Sequence, residues 1–193
     1  MDLQTRVTNI LLQPAQEWQT IATEQSDVTS LIRDYAAPLA AIPAVCGWIG
    51  GSLLGLATFH PAPVQGFSNA VVSWLSSLIG CWIAAIIIEK LAPSFGSRGT
   101  TAQALKMVVY ASTALWIAGV LYIFPPLAVF TIIAAVYALY LFYVGLPHVM
   151  QTPRDRVVPY MVVSAMVMIA IAVAFGILTA IVTGVSSLLG LRA

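Results

Sequence analysis

The chain has 193 residues, of which 60% are hydrophobic and only 8% charged. Soluble domains carry about 25% charged residues, so water would not keep this chain in solution, and its length fits one membrane-embedded domain. The formal net charge of +1 leaves no basic field for a nucleic-acid partner.

The first 34 residues are the polar part, MDLQTRVTNILLQPAQEWQTIATEQSDVTSLIRD. They lack the basic start, short apolar core and A-x-A site of a cleaved signal peptide. Leu3, Val7, Ile10 and Leu11 fall on one helical face. Pro14 is placed to open a second helix, with Trp18, Ile21 and Ala22 on its apolar side. This pattern predicts short amphipathic helices lying on the inner leaflet, with Trp18 at headgroup depth. Glu17, Glu24 and Asp27 weaken attraction to anionic lipid, so apolar burial is expected to hold the segment there. A docking face for a cytoplasmic protein is the other reading.

Residues 35–88 contain no Asp, Glu, Lys or Arg. A helix crosses ~30 Å of hydrocarbon with about 20 residues, so this stretch holds two spans. His60, Pro61, Pro63 and Gly66 mark the turn between them, giving spans near 36–59 and 67–88. Gly47, Gly51 and Gly55 recur every four residues and predict a close helix contact. Pro38 and Pro43 should bend the start of the first span.

The stretch EKLAPSFGSRGTTAQALKMVVY follows, with Ser94–Thr101 expected as a flexible loop and Thr100 or Thr101 as a helix cap. Residues 107–153 are again uncharged and break at Pro125 and Pro126, giving spans near 107–124 and 127–146. The last apolar run yields a span near 159–183, with Ala172, Gly176 and Ala180 as a second small-residue row. The expected fold is all-α and polytopic. It has a cytoplasmic segment at 1–34 and a five-helix transmembrane domain at 35–193.

Basic residues are retained on the cytoplasmic side. With the N-terminus inside, Arg6, Arg33, Lys90, Arg98, Lys106, Arg154 and Arg156 share that side, and only Arg192 does not. The C-terminus is then periplasmic.

Recognisable reaction chemistry is missing. The sequence holds no H-E-x-x-H, G-x-S-x-G or P-loop. No acid stands in mid-span, where proton-coupled carriers place one. Cys46 and Cys81 sit in apolar runs and read as small buried residues. His60 and His148 fall outside the spans. No metal, cofactor or enzymatic activity is expected. Ser73, Ser76, Ser77 and Thr131 could line a polar path or bond their own helix backbones. In YALYLFYVGL, Tyr137 is near mid-span and needs a hydroxyl partner, beside Tyr140 and Tyr143. Tyr110 lies one turn beyond Lys106. If the second, third and fourth spans are neighbours, Glu89, Lys106, Tyr110 and Tyr143 form a polar cluster at the cytoplasmic edge. That cluster is the candidate binding site; the alternative is a Lys106 that snorkels to the headgroups.

Several stretches resemble the Yip family of Ypt/Rab-interacting membrane proteins, in its bacterial branch. LLQPAQEWQTIATE is similar to the family's amino-terminal segment and AAPLAAIPAVCGWIGG to its first span. LAPSFGSRGTTAQALKMVVYAS resembles its loop and third span, and YALYLFYVGL its fourth. The Asp-Leu-Tyr-Gly-Pro motif of eukaryotic members is reduced here to Asp34 and Pro38, and Ala114 stands where many members have Pro. The resemblance implies a five-helix fold in the bacterial inner membrane and a role in membrane organisation or partner recruitment. The partners implied are the bilayer, an unidentified membrane or cytoplasmic protein, and a second copy in a homo-oligomer. A small-solute or ion channel is the alternative activity.

Overall fold

The structure is a computed structural model that describes residues 2–24, 27–56 and 62–170. Two short helices, α1 (Leu3–Leu12) and α2 (Pro14–Thr23), come first. Four long apolar helices follow among the described residues: α3 (Val28–Leu53), α4 (Pro63–Phe95), α5 (Thr101–Ile123) and α6 (Pro125–Val149). Each has 23 to 33 residues, enough at about 1.5 Å per residue to cross a bilayer. A shorter apolar helix, α7 (Val157–Ala170), begins where the fifth span is expected. The rest of that span, with Ala172, Gly176 and Ala180, lies outside the described residues.

Local chemistry sets the helix ends. The Asp27 carboxylate accepts from the Ser30 N–H at 3.3 Å and starts α3. Pro38 has no N–H and crowds the carbonyl four residues back, and α3 opens into a wide π turn at Leu31–Ala36 just before it. Thr100 caps α5 in a reciprocal capping box with Gln103. At the far end, α5 tightens into a 3-10 turn and Pro125 starts another, so the chain reverses at once into α6.

The central helix is α5. Burial covers 61% of its most apolar window, against 11–22% for the other three long helices. It packs against α3, α4 and α6. Its closest approach is to α3, where a Cβ added at Gly50 would lie 2.5 Å from the Tyr122 carbonyl oxygen. One at Gly119 would lie 2.5 Å from Pro43 Cβ.

The expected glycine row on α3 is therefore displaced. Among the described residues, Gly51 has nothing within 4 Å of an added Cβ, and Gly47 meets only Tyr122 Cβ at 3.9 Å. Gly55 has a φ of 62° just past the helix end. The cause is the second π turn, Ile49–Leu53. A wide turn holds an extra residue, so a row counted in fours rotates off the interface. Gly47 and Gly51 instead line a cavity of about 320 Å³ with Ser52, Asn69, Ser73 and Tyr122.

Two further expectations are corrected. The Ser94–Thr101 loop is fixed rather than flexible, because Ser97 is buried and its hydroxyl donates to Thr152 Oγ1 at 2.9 Å. The α1–α2 hairpin packs into the helix bundle instead of standing apart from it. Ile10, Trp18 and Ile21 are fully buried in the bundle core. The Tyr137 hydroxyl donates to the Leu11 carbonyl at 2.6 Å. Tyr137 stands 12 residues before the end of α6, about 18 Å in from that end. The hairpin thus enters the bundle and its tip reaches mid-depth.

Gly50→Ala places a methyl against backbone atoms and is expected to destabilise the protein by about 1–3 kcal/mol. Gly51→Ala meets no atom of the described residues within 4 Å and is expected to stay within about 0.5 kcal/mol of the parent. Unfolding in detergent measures both, and equal losses would place the α3–α5 contact elsewhere.

Candidate functional site

The hairpin carries charge inward. α1 and α2 are joined at Gln13, and Pro14 opens α2 where its missing N–H costs nothing. This fold-back brings Arg6 of α1 beside Glu17 of α2. Arg6 Nη1 donates to Glu17 Oε1 at 2.5 Å, and Nη2 donates to Glu24 Oε1. Asn9 Nδ2 donates to the other Glu17 oxygen at 3.1 Å. Arg6 and Glu17 are only 6% and 5% exposed. Burial works against the Arg6 charge; the hydrogen bond to Glu24 and the nearby carboxylates outweigh it and hold Arg6 above its usual range.

The bundle completes the site. Lys106, buried on α5, donates from its ammonium to the Glu24 carbonyl. The Arg6 guanidinium stands 5.7 Å from the Tyr110 ring centroid, a cation–π distance. Tyr110 lies between Trp18, edge-on at 6.2 Å, and Tyr35 at 4.7 Å. The Tyr35 hydroxyl is 2.8 Å from Thr113 Oγ1. Trp18 itself fits against Gly145, where an added Cβ would lie 2.9 Å from Cε2 and Cζ2 of the indole. Its indole N–H has no partner among the described residues.

The predicted quartet is thus divided. Lys106 and Tyr110 belong to the site. Glu89 accepts instead from Thr101 Oγ1 at 2.6 Å, across the junction of α4 and α5. Tyr143 is 42% exposed on the outer side of α6. Among the described residues, no hydrogen bond or ion pair joins Lys106 to Glu89, Tyr110 or Tyr143. The physical reason is that the hairpin occupies the inner side of α5 and α6 and supplies the lysine's acceptor. Arg6, Glu17, Glu24, Tyr35 and Thr113 were missed as site residues. A signal for two of them was present: Arg6 lies four residues before Ile10, and Glu17 four before Ile21. Opposite charges thus stand within the apolar stripes of both helices.

Other polar groups are engaged locally. Ser77 accepts from Trp116 Nε1 at 3.1 Å, and Thr131 donates to its own helix at Ala128. The His148 ring nitrogen Nδ1 is 2.9 Å from the Val144 carbonyl, one turn back. Cys46 and Cys81 are free thiols. No metal-binding group of side chains occurs among the described residues. His60 lies outside them.

Comparison with known proteins matches the Yip1 domain to residues 8–191. The chain belongs to the Yip1 domain family. The match begins within α1, so the Yip1 domain takes in Glu17, Trp18 and Glu24 of the hairpin. The chain is also 24% identical over 165 residues to Inner membrane protein YohC of Escherichia coli strain K12, covering 79% of this chain and 82% of the relative. The same identity and coverage hold for Inner membrane protein YohC of Escherichia coli O6:H1 strain CFT073. No solved structure matches.

A buried charge that loses its partner is costly, whereas replacing both partners with apolar groups often is not. Arg6→Met is expected to destabilise this Yip1-domain protein by about 3–5 kcal/mol. Arg6→Met with Glu17→Met should lose clearly less than the single change. Unfolding in detergent checks this; additive losses would mean the two residues are not coupled.

Proposed function

We propose that the chain is a non-enzymatic, multi-pass protein of the bacterial inner membrane that recruits a protein partner or organises membrane through its cytoplasmic face. The N-terminus is cytoplasmic and the C-terminus periplasmic. Similarity to Inner membrane protein YohC of Escherichia coli supports the location. The orientation is supported by the basic residues at the ends of the long helices. Arg33, Lys90, Arg98, Arg154 and Arg156 stand at the start of α3, the end of α4, the start of α5 and the start of α7, all on one side of an antiparallel bundle.

The observation that carries the reading is how the buried charges are used. Arg6 is engaged by Glu17 and Glu24, and Lys106 by a backbone carbonyl. These groups hold an amino-terminal element in place, and among the described residues the buried charges of this site are all engaged within the fold. The resulting surface is a fixed end of the bundle, suited to contact rather than chemistry.

A photo-crosslinker at the exposed Arg33 in native membranes is expected to yield a discrete protein adduct, and a cytoplasm-dependent reporter after Ala193 is expected to be silent. Saturable solute flux in liposomes, with no protein adduct from Arg33, would favour transport instead. An active reporter would reverse the position of the C-terminus.

A further inference from the structure

The segments at 96–100 and 150–156 are joined to one another at the end of the bundle. The Arg98 N–H donates to the Met150 carbonyl at 2.9 Å. Ser97 and Thr152, both buried, are hydrogen-bonded at 2.9 Å. Gly96 takes a left-handed turn with φ 67°, and an added Cβ there would lie 3.6 Å from Pro153. The Arg156 N–H closes the second turn on the Pro153 carbonyl at 2.9 Å. Beneath them Phe95 stacks on Tyr160 at 4.9 Å, and the Tyr160 hydroxyl donates to the Ile88 carbonyl. The first turn of α7 is thereby tied to the end of α4, and the two segments form one fixed platform.

The platform carries Lys90, Arg98, Arg154 and Arg156, all exposed. Asp155 pairs with Arg156 at 3.4 Å, both more than half exposed, and Glu89 is held by Thr101. Four cations against two carboxylates leave two positive charges. Lys90 lies in the last turn of helical Pro63–Leu91, and Arg156 directly precedes α7. These cations therefore stand level with the headgroups of a bilayer that the helices cross.

We propose that this platform binds the phosphate of an anionic phospholipid headgroup. An arginine fork matches phosphate geometry with two parallel hydrogen bonds. The loops are already fixed, so binding orders little backbone. A protein partner is the weaker fit, because neither 96–100 nor 150–156 contains an aromatic residue, the kind of anchor that dominates protein interfaces. The proposal holds whichever side of the membrane the platform faces, so it stands or fails apart from the orientation.

The test uses the purified full chain in detergent, titrated with phosphatidylglycerol or phosphatidylcholine, with bound lipid counted by native mass spectrometry. Each basic residue near an anionic surface contributes about fivefold in affinity. The parent is therefore expected to favour phosphatidylglycerol by at least about tenfold. The triple variant Arg98→Gln, Arg154→Gln, Arg156→Gln should bring the ratio near one, and Arg33→Gln should leave it unchanged. If the triple variant does not fold, about 0.5 M salt on the parent replaces it, and loss of the preference supports the proposal. No preference in the parent, an unchanged preference in the triple variant, or a preference insensitive to salt overturns it. Saturation by inorganic phosphate alone would reduce the platform to a free-anion site. Displacement of the lipid by polyglutamate at lower concentration would assign it to an acidic protein segment. Either result also overturns the lipid assignment.

Discussion

The guanidinium of Arg6, held between Glu17 and Glu24 inside a bundle of apolar helices, is the contact on which the arrangement of the amino-terminal hairpin depends. Leaving a charge unpaired at this level of burial costs about 3–5 kcal/mol, a large share of the stability of a domain. α1 can therefore enter the bundle only with α2 beside it. The pair in turn leans on α5, whose Lys106 takes up the Glu24 carbonyl and whose Tyr110 ring lies under the guanidinium. The charges do little for stability as a sum, since desolvation offsets their attraction. What they do is specify one docked position for the hairpin.

That position explains features that look unrelated along the chain. Gly145 is the one glycine on α6, and there a side chain would collide with Trp18. Tyr137 has its hydroxyl partner in Leu11, in a helix 126 residues away. Tyr35 and Thr113 close the polar cluster from α3 and α5. Helices in lipid gain little by hiding leucine from leucine and are held by close packing and hydrogen bonds. Here both are concentrated where the hairpin meets α5 and α6. The α3–α5 crossing at Gly50 and Gly119 supplies the second close contact and fixes the far half of the bundle.

The all-helical class, the reversal at Pro125 and Pro126, the Thr100 cap and the family were legible in the sequence, because charge-free runs, proline pairs and capping residues act locally. The depth of the hairpin was not. Leu3, Val7 and Ile10 make the same stripe whether the helix rests on headgroups or packs on α5, and the distinguishing fact is that Arg6 and Glu17 meet across a turn. The Gly47–Gly51–Gly55 row misled for a different reason. Its spacing presumes a regular helix, and a π turn at Ile49–Leu53 breaks that regularity without any residue that announces it. Glu89 and Tyr143 were grouped with Lys106 on proximity to one membrane edge. Each finds another environment once the hairpin occupies the space between the helices.

The depth of the hairpin tip tests this account most directly. Leu12 ends α1 and is 74% exposed on the outside of the bundle. A nitroxide on Leu12→Cys, in a chain with Cys46 and Cys81 changed to Ala and reconstituted in bilayers, reports its depth through collisions with oxygen and with a water-soluble nickel chelate. A docked hairpin predicts a label deep in the hydrocarbon, favouring oxygen over the chelate. A label at headgroup depth would contradict it and return the hairpin to the membrane surface.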